Sequence, residues 1–244
     1  MRRHLIAALT TVSAIALAGT GLAATAPTRA GGHARNTASP SRARPVCHLI
    51  TDPAGDPGPS WEKVPGDGSV DITSADIASN ATTLTGVVRV ASLTNPDPQA
   101  PAGQAYFLLF SVKGGNYPFF LSGRTYPTGN AWIFGYQAPD PTTGINTSYT
   151  VAQGSGVVDL AKSEVRISVP LSAIRATLRL PAGTVLRSLE ALTYRIAGQG
   201  LVPSQQVGPV RAPLGGLLLQ FDTAYAAPTT VYVAGSPSCV PVGH

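Results

Sequence analysis

From residue 47 onward the chain is a succession of short apolar runs, each closed off by Gly, Pro, Asn or Asp. That punctuation limits the fold more than any other feature. Helices need long stretches of 3.6-residue periodicity, whereas short runs between turn formers read as strands. The pattern predicts strands over 47–51, 70–79, 83–91, 105–113, 117–124, 130–137, 146–153, 156–160, 164–169, 186–197 and 229–234. Val165, Ile167 and Val169 alternate with Arg166 and Ser168, as in a strand with one buried face. The unbroken run from Tyr106 to Phe110 predicts a central strand covered on both sides. Asn80-Ala81-Thr82 and Lys113-Gly114-Gly115-Asn116 read as hairpin connections. The one helical piece is Leu171 to Leu178, opened by Pro170 and stopped by Pro181. Residues 198–216, which hold Pro203, Pro209 and Pro213, read as a long irregular loop. Together these predict an all-β domain: one antiparallel, jelly-roll-like β-sandwich of about ten strands.

Composition narrows the function classes. The 26 Gly and 22 Pro among 244 residues exceed ordinary usage but stop short of disorder throughout. The net charge of +5 belongs to the N-terminal segments. Arg2, Arg3, Arg29, Arg35, Arg42 and Arg44 all precede residue 47, with no acidic residue among them. Without those six, 11 basic residues face 12 acidic ones. A clustered positive face able to hold a nucleic-acid backbone is therefore not expected after residue 47, and nucleic acid is not an expected partner.

Residues 1–26 have the form of a secretory signal. Arg2, Arg3 and His4 form the basic start, Leu5 to Ala18 the apolar stretch, and small residues follow. That stretch is too short to span a bilayer, so no membrane span is expected after cleavage. Residues 27–46 are Ala, Arg, Thr, Ser, Gly and Pro without periodicity and read as a disordered linker. The sandwich domain is expected over 47–242, secreted and extracellular. Cys47 and Cys239 are the only cysteines. In an exported chain two cysteines pair, so a disulfide is expected, with the first and last strands as neighbours.

Five of the nine aspartates fall between residues 52 and 76. Asp52 and Asp56 follow the first strand, and Asp67 and Asp71 precede the second. Two readings stand. Asp and Gly are the ordinary residues of turns. Carboxylates on loops at strand ends also suit an oxygen-ligated Ca²⁺ held by Asp52, Asp56, Asp67 and Asp71.

The run Cys47-x-Leu49-x-x-Asp52-Pro53-x-Gly55-Asp56 continues into Asp71-Ile72-x-Ser74-Ala75-Asp76-Ile77-Ala78 and Leu84-Thr85-Gly86-Val87-Val88-Arg89-Val90. It resembles secreted actinobacterial β-sandwich proteins of the grouping that includes family 9 carbohydrate-binding modules and DOMON-like domains. The resemblance covers about residues 47–91. It implies a sandwich fold, calcium near acidic loops, and sugar or haem as ligand. Haem would want His or Met axial ligands. The only Met is Met1 and the histidines are His4, His33, His48 and His244, all peripheral, so sugar is the better expectation.

Sugar rings stack on aromatic faces. Trp61 lies in a Pro-rich loop, and Trp132, Phe134 and Tyr136 alternate along one strand face. These four are the candidate ligand-binding residues, with sandwich core as the competing use of the strand residues. G-x-S-x-G, H-E-x-x-H, phosphate-loop and C-x-x-C patterns are all missing. Asp159, Glu164, Glu190 and Asp222 are carboxylates that nothing in the sequence pairs. The expected function is a secreted, non-catalytic binding module whose ligand is an extracellular glycan or envelope component. The alternative is a structural or protein-interaction domain of the bacterial surface.

Overall fold

The computed structural model describes residues 45–56, 68–98, 100–197 and 217–242, so the stretch read as a signal and nearly all of that read as a linker lie outside the described residues. The strands are β1 (Ile50–Thr51), β2 (Ile72–Ser79), β3 (Thr83–Val90), β4 (Gln104–Val112), β5 (Phe119–Tyr126) and β6 (Gly129–Pro139). They continue with β7 (Asn146–Gln153), β8 (Ser155–Asp159), β9 (Glu164–Pro170), β10 (Val185–Ala197), β11 (Leu217–Tyr225) and β12 (Tyr232–Val233). Helix α1 is only Leu171–Ile174, shorter than the expected 171–178. Beyond it the chain closes turns, with the Thr177 and Leu178 amides both donating to the Ile174 carbonyl.

The strands form two antiparallel sheets, a five-stranded one ordered β1-β2-β3-β9-β8 and a seven-stranded one containing β11-β10-β4-β5-β6-β7. The expected all-β sandwich is present. Between the sheets, Leu84, Val88, Val165 and Ile167 meet Tyr106, Leu108, Leu121 and Phe134 in one buried core. The expectation for β4 holds on both faces. Its Tyr106, Leu108 and Phe110 enter that core, while Ala105, Phe107 and Leu109 join Phe120, Ile133 and Leu192 in a second buried cluster on the sheet's outer side.

β7 and β8 are separated by Gly154 alone, yet they belong to different sheets. The chain turns this corner where the Gly154 amide donates to the Trp132 carbonyl at 2.9 Å. A Cβ at Gly154 would run into the backbone carbonyl of Ser168, so only glycine fits the corner.

Outside the five-stranded sheet lies a charged ladder. The Arg89 guanidinium binds Asp76 at 2.7 Å and Glu164 at 3.0 Å, and Arg166 binds Glu164 at 2.6 Å. The chain termini cover part of this face. The Leu49 amide donates to Asp76 Oδ1 at 3.0 Å, and Val240 packs on Ala78 and Val87. Cys47 and Cys239 are bridged, their Cα atoms 5.3 Å apart, within the normal span of a disulfide. Beside the bridge, Val46 pairs with Ser238 in a parallel β-bridge, so the last residue assigned to the linker joins the domain. The strands themselves do not meet as expected. β1 edges the five-stranded sheet, whereas β12 pairs with β10 in the other.

Strand β11 was not expected. Its alternation is broken at Phe221, because the β10–β11 register shifts between Thr193 and Tyr194. A bulge of this kind hides the period-two pattern.

Candidate functional site

The register of the strands separates the domain into two ends. The Tyr232 hydroxyl accepts the Ser79 amide at 2.8 Å, and Tyr232 pairs with Leu186, which pairs with Val112. The end of β2, the end of β4 and the start of β10 therefore lie together. At the opposite end Thr193 Oγ1 donates to the Val70 carbonyl, and the Ile72 amide donates to Asp222 Oδ2 at 2.7 Å.

That second end is acidic. Asp71 is 4% exposed; its Oδ2 accepts the Gly55 amide at 2.8 Å, which ties the loop after β1 to the start of β2. Among the described residues its Oδ1, though buried, has no hydrogen-bond partner. Burial raises the Asp71 carboxyl above its ordinary range, against the pull of the Gly55 amide and with the push of Asp56. Asp52 is raised as well, by burial and then by Asp56 and Asp71. Asp222 is pushed up to about 6, chiefly by burial, while the Ile72 and Thr223 amides pull it down and Asp52 and Asp56 push it up. The structure thus couples Asp52, Asp56 and Asp71 and adds Asp222 to them. Asp67 lies outside the described residues. Among the described residues no group of three or more His, Cys, Asp or Glu is gathered closely enough to form a ready ion cage. The feature that suits a cation is the orphaned, buried Oδ1 of Asp71.

The first end is aromatic. Trp132, Phe134 and Tyr136 all point from β6 toward the other sheet, as their register opposite Gly123, Leu121 and Phe119 requires. Phe134 is fully buried. Trp132 is half-buried between the sheets, its ring filling the space that a Cβ on Gly123 or Gly156 would need. Tyr136 sits nearer the rim. Its ring stacks on Tyr149 of β7 at 5.2 Å and on Tyr117 of the β4–β5 loop at 5.9 Å. Tyr117 is 43% exposed. Trp61 lies outside the described residues.

The loop beside this stack is held by its own polar groups. Asp140 Oδ1 accepts the amides of Thr142 and Thr143, both at 2.9 Å, and the Asp140 amide donates to the Ile145 carbonyl at 2.8 Å. Burial, then the Asp140 charge, raises the Tyr149 hydroxyl above its ordinary range. The three rings therefore form a preset, partly open platform.

The unpaired carboxylates of the sequence stay apart in role. Asp159 is held by Lys162 at 3.0 Å and Glu164 by its two arginines. Burial raises Glu190, opposed by a hydrogen bond from Tyr225. Asp222 belongs to the acidic end.

Sequence reasoning missed Tyr117, Tyr149 and the place of Asp222 beside Asp52 and Asp56. Tyr117, in the β4–β5 connection, and Tyr149, paired with Tyr136 across β6 and β7, flank the β6 stripe, so only strand register could have placed them. Asp222 is 150 residues from Ile72 and carries no local signal. No protein-family model, curated protein or solved structure matches the chain.

Proposed function

We propose that this domain is an exported, non-catalytic binding module for an extracellular glycan or another envelope component, held on the rings of Tyr117, Tyr136 and Tyr149. The observation that carries this reading is the stack itself. Three stacked tyrosines, partly open to solvent beside a self-capped loop, offer the flat π surface on which a pyranose C–H face rests. Phenol hydroxyls at the ring edges supply hydrogen bonds to sugar hydroxyls. Calcium is proposed at the acidic end, where it would satisfy Asp71 Oδ1 and relieve the mutual repulsion of Asp52, Asp56 and Asp71. Export is supported by the basic-apolar start of the chain and by the Cys47–Cys239 bridge.

A glycan array followed by titration of the best ligand tests the reading. Tyr117→Ala and Tyr149→Ala should each weaken binding about tenfold or more, a loss of roughly 1.4 kcal/mol, with the circular dichroism spectrum unchanged. Full retention of affinity in both variants would move the ligand elsewhere. The alternative, a surface interaction domain, would use the edge strand β8, where Val157 is 46% exposed and Leu160 beyond it 50% exposed.

A further inference from the structure

Next to the β2–β3 turn, the segment after β9 folds back to enclose a cleft of about 520 Å³. That volume is in the range of small-molecule sites. Its apolar surface comes from Ala81, Leu171, Leu178, Leu180 and Pro181, of which Leu178 and Leu180 are buried. The cleft is stapled in place. The Leu171 amide donates to the Thr82 carbonyl at 2.7 Å, and Asn80 Oδ1 accepts the Thr82 and Thr83 amides, both at 2.8 Å.

Two exposed arginines, Arg175 and Arg179, complete the lining, which contains no acidic residue. Among the described residues neither makes an ion pair; the carboxylates of the salt bridges go to Arg89, Lys162 and Arg166 instead. Ser172 adds an exposed hydroxyl to the same lining. In a domain whose basic residues barely match its acidic ones, two unpaired guanidiniums facing one apolar cleft are a concentrated positive site. Guanidinium forks match carboxylate and phosphate oxygens, and apolar walls reward a hydrocarbon body next to them.

The geometry points to this cleft as the binding site of an anionic amphiphile, a phosphate or carboxylate carried on an apolar chain, with Arg175 and Arg179 holding the anion and Ala81, Leu171 and Pro181 the chain. This site is separate from the tyrosine stack and stands without the glycan reading.

The test titrates the folded domain with octyl phosphate below its micelle concentration, beside octyl glucoside and inorganic phosphate. Octyl phosphate should bind at least tenfold more tightly than either control, with amide shifts at residues 81–82 and 171–180, and its affinity should fall as sodium chloride is added. The double variant Arg175→Ala/Arg179→Ala should lose at least tenfold in affinity at unchanged melting temperature, since both side chains are exposed. Arg175→Lys/Arg179→Lys should retain part of it. The proposal is overturned by absent binding, by octyl glucoside or inorganic phosphate matching octyl phosphate, or by full affinity in the alanine double variant.

Discussion

Asp222 has a carboxyl that titrates near 6 because it is buried beside Asp52 and Asp56. Its proton is bound more tightly in the folded chain than in the unfolded one. Between about pH 4 and pH 6 the folded state therefore carries more protons, and stability falls as pH rises through that window. Asp52 and Asp71, raised in the same direction, add to the fall. Carboxyl NMR should place the Asp222 midpoint near 6, and Asp56→Asn should lower it and flatten the dependence of the urea midpoint on pH. A wild-type midpoint near 4 would contradict this account. Asp71 supports a second expectation. If calcium caps its orphaned Oδ1, a hundredfold excess over the dissociation constant contributes about 2.7 kcal/mol, so chelator should lower the melting temperature by about 5 °C or more. Asp71→Asn should abolish that difference, and identical melting curves with and without calcium in the wild type would remove the ion. The candidate residues were legible only in part. Alternation identified the Trp132-Phe134-Tyr136 face, but the same spacing serves core and platform alike. Position along the strand decides between them: Phe134 is inside and Tyr136 is at the rim.

Elements were read more successfully than sites, because strands announce themselves locally while sites assemble from distant segments. The runs at 83–91 and 164–169 matched β3 and β9 to within a residue, since both are regular strands paired along their whole length. β11 was missed because its bulge at Phe221 cancels the alternation that marks a strand. The corner between β7 and β8 was equally invisible, a single glycine inside what reads as two ordinary runs. It is nevertheless a position where only glycine fits. Gly154→Ala would push a methyl group against the Ser168 carbonyl and separate β8 from β9 or β7 from β6. Such overpacking costs roughly 1–3 kcal/mol. Chemical denaturation of the variant should show that loss with an unchanged slope. By contrast Gly114→Ala, in an open hairpin where an added Cβ meets nothing within 4 Å, has only the strain of its positive φ of 81° to bear.

At the scale of the molecule charges of both signs share one end. Asp52, Asp56, Asp71 and Asp222 gather where β2 begins, and Arg124 of β5 and Arg195 of β10 lie at that same end of the sheets. The clasp formed by Cys47 and Cys239 has a mechanical consequence. It encloses nearly every hydrogen-bonded strand, so tension applied between the two ends of the chain travels across one covalent bond and bypasses both sheets. A domain attached to a surface at one end and loaded at the other would stay folded under pull. In a single-molecule stretching experiment the oxidised domain should lengthen only by its short tails. After reduction, the same pull should release the 192-residue separation between the cysteines. At full extension that segment spans about 650 Å. An unfolding step of that size in the oxidised protein would show that the clasp does not carry the load.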